Sequence, residues 1–286
     1  MPAANPNPTH DWDGATGDNW VEHQMRLDRM LQPFGDAALS AANVQAGEHI
    51  LDVGCGAGTT SFALSIAAGV RGRVVGVDIS PQLIARAKAD RKPDAPVAFE
   101  LADAATAPWA SDSFDLLFSR FGVMFFGDPV AAFTHMRRAL KPGGRLTFVC
   151  WRGAQENDWV RLPMAAIRDL VVPPKTDPEA PGPFAFGDPA RVERILLASG
   201  FTDAILSPLD ASIPYGHGAT HDDAVEDALR LSFAVGPLAR ALAGQPEDIR
   251  ARAADAVRAA FAARPGGTSV MIDGAAWIVT AHNPAG

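Results

Sequence analysis

The chain has 286 residues, 48% of them hydrophobic, with a formal charge of −8 and two cysteines. This is enough apolar material for one large α/β domain with a cap, or for two small domains. The acidic balance without a basic run argues against a nucleic-acid partner. The absence of an apolar run of about 18 residues argues against a membrane span. Cys55 and Cys150 fit a reducing cytoplasm and do not form a metal-ligand spacing.

Residues 1–18 hold Pro, Asn and Asp but no charged-then-apolar signal pattern, and read as a disordered leader. Residues 20–31, WVEHQMRLDRML, place Trp20, Met25, Leu27, Met30 and Leu31 at helical spacing and predict a helix within a covering segment, 19–46. HILDVG is a short buried strand. TTSFALSIAAG is a helix stopped by Gly69, and GRVVGVDIS a second strand ending in an acid. Ser80 and Pro81 suit the cap and first turn of the next helix, SPQLIARAKAD. VAFELADA is a third strand, residues 114–119 a fourth, DPVAAFTHMRRAL a helix closed by KPGG, and RLTFVCW a fifth strand.

Strands alternating with helices over residues 47–152 predict a doubly wound, mostly parallel α/β sheet. Residues 153–286 are expected to supply the rest of the sheet, with helical cap insertions. There, AQENDWVRLPMAAIRDL is helical and residues 171–189 form a Pro- and Gly-rich loop suited to a mobile lid. ARVERILLASGF is a helix and DAILSPLDASI a weaker strand. Residues 221–264 read as two Ala-rich helices split near GQPED, and AAWIVTAH as a last strand.

Gly54, Gly56 and Gly58 arrive at alternate positions between the first strand and its helix. Glycines there let a ligand approach the backbone, and the helix N-terminus beyond offers free N–H groups to an anion. A tight turn that needs glycine only for its dihedrals is the competing reading. Asp78 ends the second strand, where an acid can accept hydrogen bonds from ribose hydroxyls. The spacing departs from G-x-G-x-x-G, with Thr59 at the later position. Asp103 ends the third strand and could accept an adenine amino group, with the Ala104 N–H reaching a ring nitrogen; alternatively Asp103 only caps its loop.

LDVGCGAG, VVGVDISPQLIARAKA, FELADAATAPWASDSFDLLFSRFGVMFF and RALKPGGRLTFVCW together resemble the Rossmann-like S-adenosylmethionine-dependent methyltransferases, of the small-molecule type with an N-terminal covering helix. The resemblance implies S-adenosylmethionine as cofactor and a seven-stranded sheet with AAWIVTAH as the antiparallel strand. Asp52, Gly54 and Gly56 would serve the methionine end, Asp78 the ribose, Ile79 the adenine face, and Asp103 and Ala104 the adenine edge. Ser119 and Arg120 would lie beside the amino group or sulfonium. Trp20 and Gln24, four apart on one helical face, would close over the methionine end.

Methyl transfer from a sulfonium needs alignment and a dry pocket more than a dedicated acid or base, so no catalytic residue is assigned. Phe121, Met124 and Phe125 after the fourth strand, and Trp151 and Arg152 after the fifth, are the candidate substrate-binding residues; core packing is their competing role. His135 reads as a surface histidine, while His23, His217 and His221 lie in segments able to reach the site. Neither a GxSxG elbow nor an HExxH metal motif is present. Sequence alone expects a cytoplasmic methyltransferase with a small-molecule acceptor, no metal and no nucleic-acid or membrane partner. A nicotinamide-dependent oxidoreductase and a non-catalytic cofactor-binding protein are the alternatives. Acceptor atom and oligomeric state stay open.

Overall fold

Short apolar strands punctuated by glycine and acid build a single sheet. The computed structural model describes Trp12, residues 14–172 and residues 177–285. Strands β1 (His49–Val53), β2 (Arg73–Asp78), β3 (Val97–Leu101), β4 (Phe114–Arg120), β5 (Leu140–Trp151), β6 (Thr202–His217) and β7 (Ser269–His282) lie in the order β3-β2-β1-β4-β5-β7-β6. All pairings are parallel except those of β7, which runs antiparallel to both β5 and β6. The expected antiparallel strand AAWIVTAH lies within β7. The order reverses between β1 and β4, and that switch point opens a crevice at the carboxyl ends of the strands. Val74, Val75 and Val77 of β2 and Leu116, Leu117 and Phe118 of β4 are buried, as central parallel strands covered on both faces require.

Helices α1 (Ala15–Glu22), α2 (Gln24–Ala42), α3 (Thr59–Ala68), α4 (Pro81–Asp90) and α5 (Pro129–Ala139) precede β5. Helices α6 (Asp158–Ala166), α7 (Pro189–Ala198), α8 (His221–Ala234), α9 (Pro237–Leu242) and α10 (Glu247–Ala262) follow it. Ser80 caps α4 by accepting from the Leu83 N–H, with Pro81 in the first turn, as its sequence predicts.

Several boundaries differ from the sequence reading. The single covering helix is two, α1 and α2, meeting at His23. Residues 15–18 are the start of α1 rather than leader; residues 1–11 and 13 of that leader lie outside the described residues. Helix α2 continues to Ala42 because Leu27, Met30, Leu31, Phe34, Ala38 and Ala42 keep one buried stripe at three- and four-residue spacing. KPGG lies inside β5, where Gly143 takes φ 76° and the pairing with β4 shifts register. The Ala-rich region holds three helices, since Gly236 at φ 91° followed by Pro237 forces an additional break. Strand β6 is longer than its polar sequence suggests because β7 supplies a partner along its length.

In the described part of the Pro-rich stretch, where a lid is expected, residues 182–187 pack on the body of the protein. Phe186 is buried between Phe133 and Phe148, the Gly182 N–H donates to the Met124 carbonyl (3.0 Å), and Trp277 Nε1 donates to the Gly187 carbonyl (3.1 Å).

Candidate functional site

The three loop glycines do different work. Gly54 (φ 65°) lies on Gly122, whose Cα would stand 2.8 Å from a Cβ at Gly54; this closes the β1 and β4 ends together. Gly58 (φ 89°) faces the Phe99 ring at 2.7 Å in the same sense. Gly56 (φ 56°) has nothing within 4 Å of the position its Cβ would take. Its neighbours on either side are occupied by protein, so Gly56 is where the loop leaves room for a ligand. The Gly54 and Cys55 N–H groups both donate to the Val77 carbonyl, fixing the loop on the end of β2.

Two carboxylates sit beneath and beside this loop. Asp52 is fully buried: one oxygen, Oδ2, accepts from Thr60 Oγ1 (2.8 Å) and Ser61 Oγ (2.6 Å), while Oδ1 is buried without a partner. Burial lifts its carboxyl to about 6, against the pull of the two hydroxyls and of Arg120. Asp78 accepts from the Gly56 N–H through Oδ2 (2.8 Å) and from the Ser80 N–H through Oδ1 (2.9 Å). Burial raises its carboxyl too, opposed by those backbone donors. Beyond Asp78, Ile79 is 40% exposed, and Leu101, paired with Asp78 at the end of β3, is 53% exposed. Leu101 was not singled out from sequence, because a lone leucine in a strand reads as core. Asp103 accepts from the Ala105 N–H (2.9 Å), so it does cap its loop; its side chain is exposed at the rim. Ala104 is buried, and its carbonyl accepts from Trp109 Nε1.

At the end of β4, Ser119 points inward. Its hydroxyl donates to the Val53 carbonyl (2.7 Å) and accepts from the Gly122 N–H (3.2 Å), locking β4 to β1; the side chain therefore shapes the crevice rather than lining it. Phe121 follows at φ 60°, a left-handed conformation that costs a non-glycine residue about 1–3 kcal/mol and is held by its surroundings. Arg120 binds Asp28 of α2 (2.6 Å), whose second oxygen accepts from Thr59 Oγ1 at the start of α3 (2.7 Å). Asp28 thus fastens α2 across the crevice mouth. Sequence reasoning missed it: its partners lie 92 and 31 positions away, and nothing local marks it.

Trp20 is half-buried on α1 and meets Trp12 edge to face at 5.4 Å, and Trp12 meets Phe125 at 5.3 Å. Gly17, also on α1, approaches Ser80, with a Cβ position 2.8 Å from the serine Oγ. The α1 segment therefore crosses from the β2 end to the β4 end. Gln24 opens α2 beyond the break at His23, so it does not share one continuous helical face with Trp20.

The candidate acceptor residues separate into two groups. Phe121 stacks on Trp151 (4.2 Å, 22°), and Phe34 of α2 meets both edge to face, so these rings form a buried floor instead of an open surface. Met124 is buried as fully as those rings, and Phe125 is half-buried against Trp12. Arg152 is not brought to the crevice: it binds Asp210 (2.8 Å) and Glu156 and lies over the Trp277 ring. His135 is half-buried with Nε2 on the Ala107 carbonyl (2.7 Å), a structural tie rather than a surface histidine.

Comparison with known proteins fits this geometry. Residues 51–148 match the methyltransferase domain family. The chain is 33% identical over 118 residues to aklanonic acid methyltransferase DauC of Streptomyces sp. (strain C5), covering 41% of this chain and 54% of that protein. The chain spans about half the length of the curated relatives it matches. Its fold is similar to the YcgJ protein of Bacillus subtilis, with a TM-score of 0.58 at 19% identity over 88% of this chain and 98% of that one. Haemonchus contortus phosphoethanolamine N-methyltransferase 2, solved with S-adenosyl-L-methionine, gives 0.51 at 19% identity over 88% of this chain and 52% of that one.

Proposed function

We propose that this chain, whose residues 51–148 match the methyltransferase domain family and whose sheet has that fold, is an S-adenosylmethionine-dependent methyltransferase acting on a small molecule. The observation that carries the reading is Gly56: a left-handed loop residue with open space where a side chain would stand, bonded directly to the carboxylate that ends β2.

When bound, S-adenosylmethionine supplies a methyl group already activated by a sulfonium. The chain's own task is to hold and dry the site. Gly56 admits the cofactor against the backbone. Asp78 accepts from ribose hydroxyls with the lone pairs its backbone donors leave free. Ile79 and Leu101 offer apolar surface to the purine, with Asp103 and Ala104 at its edge. Asp52 Oδ1, buried and unpartnered, is an acceptor for positive charge at the methionine end. Helices α1 and α2 exclude water, which otherwise solvates the charge that disappears from sulfur as the methyl moves. Phe125, half-buried beside Trp12, favours an acceptor with an apolar face. No residue is assigned as a base, since an acceptor already deprotonated at working pH needs none.

Among the described residues no helix is long and apolar enough to cross a membrane, and both cysteines are buried free thiols. The two free thiols support a cytoplasmic setting. The test is calorimetry with S-adenosylhomocysteine and NADH, followed by an acceptor library scored for S-adenosylhomocysteine release. Binding of S-adenosylhomocysteine alone, with release dependent on an acceptor, is expected. NADH binding without S-adenosylhomocysteine binding overturns the reading.

A further inference from the structure

A second cleft of about 250 Å³ lies at the elbow between α1 and α2, on the side of α2 away from the Asp28 clasp. It is lined by Glu22, His23, Met25, Arg26, Arg29, His217 and Asp227. Two of its side chains present buried nitrogens with no partner, Arg26 Nε and His217 Nε2. A buried donor left unpaired costs about 1–3 kcal/mol, and two on side chains that line one cleft call for an explanation.

The charges around the cleft sort by whether they are already spent. Asp227 takes Arg26 (3.0 Å), Arg230 (3.1 Å) and the His217 N–H (3.0 Å). Arg26 also donates to the Tyr215 and Asp227 carbonyls, both at 2.8 Å. Among the described residues Arg29 has no ion pair. Burial depresses the His217 pKa, helped by Arg29 and Arg26 and opposed by Asp227. His217 Nδ1 pairs with Ser269 Oγ (3.1 Å). With the serine hydroxyl donating there, the neutral ring carries its proton on Nε2, the unpartnered nitrogen. Glu22 is exposed at the rim, and Met25, 82% exposed, gives the cleft an apolar lip.

We propose that this elbow cleft binds a small organic carboxylate, the anion held by Arg29 and His217 Nε2 and the organic part resting on Met25. A guanidinium and an N–H donor lining one cleft suit the two oxygens of a carboxylate, and the apolar lip distinguishes an organic acid from a bare ion. The inference does not depend on methyl transfer, because binding is read without turnover.

Benzoate is the probe, titrated into the whole chain with selectively labelled histidine and followed by NMR. Saturable shifts of the His217 ring are expected, with a rise in the His217 pKa as a neighbouring anion stabilises the charged ring. Arg29→Gln and His217→Gln should each weaken benzoate binding by about tenfold or more, the scale of a charge-assisted hydrogen bond. Both changes lie at or near the surface, and the control Arg168→Gln, on an exposed residue elsewhere, should leave affinity unchanged. Benzyl alcohol, equal in shape but neutral, should not bind. Absence of saturable shifts, equal binding of benzyl alcohol, or full affinity in Arg29→Gln overturns the proposal. Inorganic phosphate competing at equal affinity overturns the assignment to an organic acid.

Discussion

The three glycines between β1 and α3 make separable predictions when each is replaced by alanine. All three have positive φ, so each replacement carries the left-handed penalty of about 1–2 kcal/mol. At Gly56 nothing further is added, because no atom lies within 4 Å of the new methyl. At Gly54 the methyl would sit 2.8 Å from the Gly122 Cα, a backbone atom that cannot rotate away. At Gly58 it meets the Phe99 ring at 2.7 Å and Phe62 at 3.2 Å. Overpacking adds about 1–3 kcal/mol at these two sites, giving about 2–5 kcal/mol in total against about 1–2 for Gly56→Ala. Cofactor binding should rank in the opposite sense among folded variants. Gly56→Ala fills the space the ligand needs and should lose about a hundredfold in S-adenosylhomocysteine affinity, about 3 kcal/mol. Urea unfolding gives the stabilities and calorimetry the affinities. Gly56→Ala binding normally, or unfolding as easily as Gly54→Ala, would refute the division of labour drawn from the loop.

Asp78→Asn should keep the fold and weaken S-adenosylhomocysteine binding by about 1.5–3 kcal/mol, the scale for a charged acceptor; unchanged affinity by calorimetry removes Asp78 from the ribose site. Asp52 has a folded carboxyl raised from 3.8 to about 6, so the folded state binds the extra proton between those values. Stability from this group is present at low pH and lost as pH rises through about 6, amounting to about 3 kcal/mol. The stability difference between the wild type and Asp52→Asn should therefore change across pH 4 to 7.5, and a flat difference contradicts the assignment. Asp28→Ala leaves the half-buried Arg120 unpaired and should cost about 1–3 kcal/mol, with faster amide exchange over residues 24–31. Unaltered exchange there would mean that Asp28 does not fasten α2.

The parts of this architecture legible in the sequence are those whose signal is local. Alternating apolar strands and helices mark the sheet up to Trp151, and the acid ending β2 marks Asp78 at the crevice; Asp103, expected to end the third strand, lies two residues beyond β3 in the loop it caps. The glycine run located the loop but not the roles within it. Only in three dimensions does Gly54 oppose Gly122 and Gly58 oppose Phe99, leaving Gly56 alone open. Asp28 was invisible for the same reason, since a bridge from α2 to Arg120 and Thr59 leaves no periodicity. Arg152 misled because its position after β5 suggested the crevice, while the antiparallel β7 and the polar β6 brought Asp210 and Trp277 to claim it instead. Phe121 and Trp151 were correctly placed at the strand ends, yet Phe34 covers them, an α2 residue that in sequence reads as one more core position.

These displacements share one cause, and it bears on how the site would exclude water. Prolines and glycines mark residues 171–189 as a loop, and in its described part Phe186 is rooted in the core while Gly182 and Gly187 bond to residues of the body. Helix α2 instead spans the distance from the crevice mouth to the amino end of β5, where Arg145 binds Glu48 (2.8 Å) and the Ala42 carbonyl. Its buried stripe ties that far end to the core, while its first turns are held by two charged clasps, Asp28 on one flank and Arg26 on the other. Ion pairs on partly exposed side chains are weaker and more exchangeable than a packed apolar stripe. The backbone breaks beside these clasps at His23, between α1 and α2. α1 and the first turns of α2 therefore cover the crevice from one side, while residues 182–187 pack with the sheet.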